Sequence, residues 1–357
     1  MSETNKEPRA EQRKPRPQQG RKRRKRKKKK NLFKTYLPHI IVLVVVIVIA
    51  IIAIWKIYDW NKGVESDYDP TEDTSEWDVE TEDYIVPLLD EAKSLQVDDG
   101  VETVLLLGND PFTSNNDDTG IPALIEQRTG ATVVDAAIGH STIGTQNMEF
   151  STENFWDGLS FKWVASCIEQ RDYTLLYNHA VGVGDDGSIK EAVDRMASLD
   201  MATVDTVVIM YDARDYKLGY PAASIYDMEL PASVAGCLRE GLATLQRALP
   251  QARIIFSSPY YCYIENPKKD GEYIPCTIAI NGMTSGDKDE YSYGSLGDYV
   301  VAYKAISVDA GINYIDNYFG TITEDNYQEM LKNDNTVLSS DGRKAIADRI
   351  SEFLEVQ

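Results

Sequence analysis

Short apolar runs alternate with amphipathic segments along most of the chain after residue 84, and the two kinds of segment predict different elements. Apolar runs rich in leucine and β-branched residues are typical of strands buried on both faces of a parallel sheet. Apolar residues at helical spacing predict the helices that connect them. The predicted strands are Thr103–Leu107, Thr132–Ile138, Tyr173–Tyr177, Thr206–Tyr211, Arg253–Ser257 and Asn313–Ile315. The predicted helices are Ile85–Leu95, Gly120–Arg128, Phe155–Glu169, Ile189–Leu199, Ala232–Leu249, Leu296–Ala310 and Ser340–Leu354.

This alternation predicts an α/β domain over residues 84–357, because parallel strands need a crossover segment to return to the same edge of the sheet. The clearest strand stops at Gly108 and is followed by Asn109 and Asp110. Ligands of open α/β sheets bind just beyond the carboxyl ends of the strands. We therefore expect the chemistry of the domain near Asn109 and Asp110.

One apolar segment near the N-terminus differs from the strand candidates in length. Ile40–Trp55 contains no charged residue and, with the residues beside it, is about long enough to cross a hydrocarbon layer of roughly 30 Å. Tyr36, Tyr58 and Trp60 stand near its two ends, where aromatic belts occur. A cleaved signal peptide would have a shorter apolar core and a small-residue cleavage site. The sequence therefore predicts a retained transmembrane helix within residues 36–60.

Charge is distributed unevenly about this segment. Residues 1–35 hold 16 Lys/Arg and 3 Asp/Glu, whereas the rest of the chain holds 21 basic and 54 acidic residues, a net charge of −33. Positive charge before a membrane helix favours a cytoplasmic N-terminus. We therefore expect a protein that crosses the cell membrane once and whose domain lies outside the cytoplasm. Residues 1–35 predict a disordered basic tail, and residues 61–83 an acidic linker.

The same charges indicate which partners to expect. The basic tail suits anionic lipid at the cytoplasmic surface, and a specific cytoplasmic protein is the alternative. The strongly acidic body would repel nucleic acid, so we expect no nucleic-acid partner.

Cysteine and glycine patterns give no support for a metal or a cofactor. The four cysteines show no CxxC spacing, and the chain has only three histidines, so a zinc site is not predicted. Gly182–Gly187 matches G-x-G-x-x-G, but Asp185 and Asp186 would place carboxylates where a pyrophosphate should bind, which favours a simple turn. Cys262 and Cys276 either close a hairpin as a disulfide in an oxidising compartment or remain separate buried thiols.

Short polar blocks follow several predicted strands and precede the last predicted helix. They are Gly108-Asn109-Asp110, Gly139-His140-Ser141, Asp212-Ala213-Arg214-Asp215 and Asp334-Asn335-Thr336-Val337. The order and context of these blocks resemble the SGNH/GDSL hydrolase family, from about Val101 to the C-terminus. The resemblance implies a three-layer α/β/α sandwich with a flavodoxin-like parallel sheet.

The resemblance also assigns a position to each catalytic group, and most of these positions are substituted. Asp110 stands where the family has its serine nucleophile. The glycine whose N–H forms part of the oxyanion hole falls on Gly139 or His140. Arg214 replaces the oxyanion asparagine, although Asp215 matches the aspartate beside it.

In the last block Asp334 matches the family, but Val337 occupies the position of the catalytic histidine. Valine has no proton to exchange, and a carboxylate attacking an ester forms an anhydride, so ordinary ester hydrolysis is not expected. Ser141 is an alternative nucleophile, although adjacent residues on a turn usually point apart, which makes His140 a poor base for it. Asp110 and Arg214 are expected either to form an ion pair or to remain solvated charges.

These observations favour a single-pass membrane protein whose extracytoplasmic domain binds a glycan or protein of the cell envelope as a pseudoenzyme. Glycan is suggested because family members act on acyl groups of carbohydrates, which is an analogy of fold alone. Many tyrosines in the region 260–299 suit either a ligand surface or the domain's own core. An active esterase or O-acyltransferase and a structural scaffold subunit remain the alternatives.

Overall fold

The computed structural model describes residue 46 and residues 83–146, 153–222, 233–266, 269–279, 294–332 and 335–356. The predicted basic tail and transmembrane helix lie outside these residues except for Val46, and the predicted linker does so except for Asp83. In the part of the chain that is described, no helix is long and apolar enough to span a bilayer. Contacts divide the chain into Met1–Trp77 and Asp78–Gln357, and the elements below belong to the second unit.

Five parallel strands form the central sheet, in the order β2-β1-β3-β4-β7, and β5 and β6 form a separate antiparallel hairpin. This order is that of a flavodoxin-like sheet, so the predicted α/β class with a parallel sheet is confirmed. The strands are β1 (Thr103–Gly108), β2 (Thr132–Asp135), β3 (Thr206–Met210), β4 (Arg253–Ser257), β5 (Tyr263–Glu265), β6 (Tyr273–Pro275) and β7 (Asn313–Ile315).

Helices connect the strands and cover the sheet. They are α1 (Asp90–Lys93), α2 (Asp110–Thr113), α3 (Ile121–Thr129), α4 (Phe161–Gln170), α5 (Thr174–Val183), α6 (Ser188–Ser198), α7 (Arg214–Lys217), α8 (Val234–Ala248), α9 (Leu296–Asp309), α10 (Asn317–Gly320), α11 (Tyr327–Met330) and α12 (Ser340–Glu355). Right-handed crossovers place α3 and α12 on one face of the sheet and α4, α8 and α9 on the other. In agreement, α3 packs against α12, and α8 packs against α4 and α9.

The core lies where these layers meet. Every residue of β1, β3 and β4 is buried, as expected for strands covered by helices on both faces. The apolar runs at these positions therefore carry no polar alternation, which is why the sequence predicted them closely.

Two predicted elements were wrong. Residues Tyr173–Tyr177 do not form a strand. Helix α5 begins at Thr174, whose N–H donates to the Asp172 carboxylate, and it is followed by Gly184 in a left-handed conformation. The predicted helix Ile85–Leu95 shrinks to the four residues of α1, because the chain before it is extended and pairs with the edge of β7 through Tyr84. In both cases a short apolar run was assigned the wrong period.

Candidate functional site

Asn109 joins three of the polar blocks at the carboxyl edge of the sheet. It is fully buried, and its Nδ2 donates to the Ser141 carbonyl at 2.8 Å and to Asp212 Oδ1 at 2.8 Å. Its Oδ1 accepts the Asp212 N–H at 2.9 Å. The ends of β1, β2 and β3 are thereby held together, so the blocks that lie far apart in the sequence form one site.

Asp110, at the start of α2, is bound twice by His140. The His140 N–H donates to Asp110 Oδ2 at 3.1 Å, and the ring Nδ1 lies 3.1 Å from Oδ1. His140 adopts a left-handed backbone conformation, with φ 63°, which brings both groups to the same carboxylate. The imidazole side chain is 62% exposed.

Arg214 lies beside this pair without joining Asp110. Its Nη1 is 3.5 Å from His140 Nδ1. Because Nδ1 faces a carboxylate acceptor it carries the proton, so the guanidinium is a neighbour of the ring and not its hydrogen-bond donor. The Asp110–Arg214 ion pair, one of the two arrangements expected, is not among the described ion pairs: Asp110 is paired with His140, whose left-handed turn brings its ring to the carboxylate.

Two carboxyl groups after β3 have perturbed acidity. Burial raises the pKa of Asp212 to about 6, and the nearby Asp110 charge adds to the effect. Burial also raises the pKa of Asp215 to about 6. The oxygens of Asp215 accept the N–H groups of Ile143 and Gly144 at 2.9 and 2.8 Å, which anchors the loop after β2. Asp215 therefore fixes the position of this loop, which carries His140 and Ser141.

Ser141 is buried beneath the surface of the site. Its side chain is in contact with the Gly108 carbonyl, 3.4 Å from Oγ, and with the Tyr211 hydroxyl. The ring of its neighbour His140 is bound to Asp110 instead. Gly139, the other oxyanion candidate, lies close to α2: a Cβ there would be 3.2 Å from Thr113 Oγ1.

A cavity of about 230 Å³ lies over these groups. Its walls include Asp110, His140, Arg214, Lys217, Tyr260 and Val337. Positions from the first, second, third and last blocks therefore line one cavity. Asp334, the remaining position of the last block, lies outside the described residues.

A second, larger groove of about 900 Å³ adjoins the cavity and shares Asp110, Ser114 and His140 with it. Carboxylates line much of this groove, including Asp117, Glu126, Asp135 and Asp185. Asp185 accepts the N–H groups of Ile189 and Lys190 at the start of α6, so it serves as a helix cap. Among the described residues, no group of His, Cys, Asp and Glu could hold a metal ion.

The described tyrosines of the region 260–299 pack mainly inside the domain. Tyr261 and Tyr299 are almost fully buried, and Tyr261 packs against Tyr327 with ring centroids 5.3 Å apart. Tyr260 and Tyr263 line the cavity. The tyrosines therefore build the core and one wall of the site together.

Comparison with known proteins gives distant structural similarity. No protein-family model and no curated relative matches the chain. Similar solved structures include a proposed SGNH hydrolase from Slackia heliotrinireducens, with 15% identity over 71% of this chain and 99% of that one, and a TM-score of 0.39. A proposed GDSL-like lipase from Parabacteroides merdae has 10% identity over 72% and 96%, and a TM-score of 0.41. A carbohydrate acetylesterase from Sinorhizobium meliloti has 11% identity over 71% and 98%, and a TM-score of 0.38.

Proposed function

We propose that the domain is an SGNH/GDSL-hydrolase-like module that has lost serine-dependent ester hydrolysis and acts by binding a ligand at the carboxyl edge of its sheet. The observation that supports the proposal most directly is the position of Asp110 and its contacts with His140. It stands at the nucleophile position, and its carboxylate accepts the His140 N–H and contacts the His140 ring.

This arrangement removes two parts of the hydrolytic machinery. His140 is one of the two positions, with Gly139, at which the resemblance places an oxyanion donor, but its N–H is bound to Asp110, whose negative charge would repel an oxyanion. Val337 supplies no proton acceptor at the position of the catalytic histidine. Among the described residues, a serine nucleophile, its base and a free oxyanion hole are therefore not assembled.

The cavity suits a polar ligand with flat apolar faces. Arg214 and Lys217 offer cationic donors, Asp110 offers an acceptor, and Tyr260 and Tyr263 offer aromatic surface. Sugar rings combine these requirements, since they present hydroxyl groups at their edges and apolar C–H faces. We propose an envelope glycan as the ligand, with an envelope protein as the alternative occupant.

The location of this binding site follows from the sequence. The apolar segment within residues 36–60, preceded by a basic tail, supports a single-pass anchor with the domain outside the cytoplasm. The basic tail would then lie against anionic lipid. This topology is tested on intact cells by whether added glycosidase and added protease reach the domain.

The absence of serine chemistry is tested with a fluorophosphonate probe and an aryl acetate substrate on the full chain in detergent. We expect no labelling of the parent. Asp110→Ser combined with Val337→His serves as the gain-of-function comparison. Labelling of the parent that disappears in Ser141→Ala would overturn the proposal.

Ligand binding is tested on a glycan array with Arg214→Met, which keeps side-chain length and removes the charge. We expect at least about tenfold weaker binding, as for loss of a charged hydrogen-bond donor. Arg239→Met, which changes an exposed cation on α8, is the matched control and should bind as the parent does. Equal binding by both variants would exclude the cavity as the site.

The Asp110–His140 contact also favours a second candidate, an esterase that uses no covalent intermediate. A carboxylate at Nδ1 orients an imidazole so that Nε2 can take a proton from water, which would attack the ester directly. Ester hydrolysis that resists fluorophosphonate and is lost in His140→Gln would establish this candidate. Hydrolysis unchanged in His140→Gln would remove it.

A further inference from the structure

The β5–β6 hairpin, which forms part of the cavity wall, carries a cysteine at each open end. Cys262 precedes β5, and Cys276 follows β6. Tyr263 is paired with Pro275 in the antiparallel register, so the two cysteines lie opposite each other at the next position. The Cys276 N–H donates to the Cys262 carbonyl at 3.0 Å, which continues the ladder to this pair.

The two cysteine side chains lie next to each other, and both are free thiols in this structure. The Cys262 N–H lies 3.5 Å from Cys276 Sγ. The bond donated by the Cys262 thiol lowers the pKa of Cys276. A disulfide forms without backbone movement only where two cysteines are already this close and face each other.

We infer that Cys262 and Cys276 are joined by a disulfide in the extracytoplasmic protein, closing the β5–β6 hairpin at the edge of the cavity. The two residues are 14 positions apart, so the bond encloses a short loop. The inference uses the topology proposed above, because disulfides persist in oxidising compartments.

The reaction is thiol–disulfide exchange with a disulfide donor, such as a protein oxidoreductase. One cysteine thiolate attacks a sulfur of the donor, and a mixed disulfide forms as the donor's other sulfur leaves as thiolate. The second cysteine thiolate then attacks the first cysteine's sulfur and releases the donor. Two electrons pass to the donor, and the two protons lost by the cysteines end on its two thiols.

Burial sets the order of events. Cys262 is 4% exposed and Cys276 is fully buried in the folded domain, so the exchange takes place before the hairpin packs onto the core. Once packed, the bond is shielded from reductant. Cys262, Tyr263 and Ile264 line the cavity, so the bond also fixes the position of this wall.

The other two cysteines provide an internal control. Cys167 lies on α4 and Cys237 on α8, and both are buried. Burial raises the pKa of Cys167 to about 11 and that of Cys237 to about 12.

The bond is tested by trapping thiols with N-ethylmaleimide, under denaturing conditions, on the full chain isolated from membranes of expressing cells. We expect two alkylated cysteines, Cys167 and Cys237, and a linked peptide pair containing Cys262 and Cys276. Alkylation of all four cysteines would overturn the inference, whatever the ligand-binding experiment shows.

Thermal melting with and without dithiothreitol gives a second measurement. Once its disulfide has been reduced with dithiothreitol under denaturing conditions, the parent should melt about 5–10 °C below the oxidised parent. This is the loss expected for opening one short loop in a domain of this size. The same lower melting temperature is expected for three variants, Cys262→Ser, Cys276→Ser and the double variant. Dithiothreitol should not change the melting temperature of any of them. Cys167→Ser and Cys237→Ser should keep the dithiothreitol effect. An additive loss in the double variant would contradict a shared bond.

Discussion

At the scale of single residues, the site depends on how His140 is held. Its left-handed φ of 63° lets the backbone N–H and the ring reach the same carboxylate of Asp110. This conformation costs a non-glycine residue roughly 1–2 kcal/mol, and the two contacts with Asp110 offset it. His140 therefore holds a constrained backbone conformation and places a side chain in the cavity.

His140→Gly should therefore be more stable than His140→Ala by about 1 kcal/mol, because both variants lose the ring but only glycine relieves the left-handed backbone. Urea unfolding of the two variants measures the difference. The same pair at the exposed helical position Glu191 on α6 is the control, where alanine should be the more stable. The same sign at both positions would show that the turn is not strained.

Asp215 predicts a pH dependence of stability. Burial raises its folded pKa from 3.8 to about 6, so the native state binds the proton more tightly than the unfolded state. The stabilising contribution is present below about pH 4 and is lost as the pH rises to about 6. Relative to Asp215→Asn, the parent should lose about 3 kcal/mol of unfolding free energy over this range.

Urea unfolding between pH 3 and pH 7 measures this loss. The difference in unfolding free energy between the parent and Asp172→Asn should change with pH in the opposite direction, because the hydroxyl and N–H of Thr174 lower the pKa of the exposed Asp172 carboxyl. Its contribution is lost as the pH falls below about 4. A parent curve parallel to that of Asp215→Asn would contradict the raised pKa.

At the scale of elements, the close approach of β1 and β3 sets the edge of the sheet where the site lies. A Cβ on Gly108, the last residue of β1, would lie 1.8 Å from the Met210 carbonyl oxygen of β3. The Asn109 N–H then donates to the same oxygen at 3.2 Å. The glycine is required here both by the neighbouring backbone and by its own φ of 150°.

Gly108→Ala should destabilise the domain by several kcal/mol or prevent its folding, since backbone atoms cannot move aside as a side chain can. Gly130→Ala is the matched control: Gly130 ends α3 with φ 71°, and nothing lies within 4 Å of its added Cβ. That variant should lose only about 1 kcal/mol. Circular dichroism melts compare the two, and equal losses would show that β1 can move away from β3.

At the scale of the whole molecule, the residues before the first helix belong to the domain. Tyr84 exchanges two backbone hydrogen bonds with Tyr314 of β7, at 2.9 and 2.8 Å. The Asp316 N–H donates to the Asp83 carboxylate, which also pairs with Arg349 of α12. This segment covers the edge of β7, which would otherwise present unpaired backbone groups.

A chain beginning at Leu88 should therefore melt several degrees below one beginning at Asp83, because it loses these hydrogen bonds at about 1 kcal/mol each. It should also associate more readily through the exposed edge of β7. Calorimetry and light scattering measure the two effects. Identical melting of the two chains would show that the segment adds nothing to the domain.

Much of the fold could be predicted because its signals are local. β4 and β7 have the predicted bounds, and β1, β3, α3, α6, α8, α9 and α12 differ from prediction by a residue or two. In contrast, α4 begins at Phe161 where Phe155 was predicted, and β2 ends at Asp135 where Ile138 was predicted. Fully buried strands and amphipathic helices each leave a regular pattern in the sequence. Tyr173–Tyr177 failed because a short apolar run fits either period, although Asp172 and Gly184 marked a helix start and end.

The site could be predicted only in part. The polar blocks after β1, β2 and β3 were recognised through the family resemblance, and the position of Asn109 and Asp110 through the rule that ligands bind at the carboxyl ends of parallel strands. The pairing of Asp110 with His140 was not recognised, and neither was the role of Asn109 in binding Ser141 and Asp212. These contacts join residues 30 or more positions apart. No local pattern records which side chain a left-handed turn will present.

The sequence by itself determined the alternation of elements, the burial of the central strands, the charge asymmetry and the substitutions at the positions of Asp110, Arg214 and Val337. Those properties depend on residue type and on spacing along the chain. Only the tertiary structure decided that Asp110 binds His140 and not Arg214, that Ser141 is buried, and that Cys262 meets Cys276. The physical reason is that sheet register and turn conformation, set by the packing of the whole domain, determine which side chains come within bonding distance.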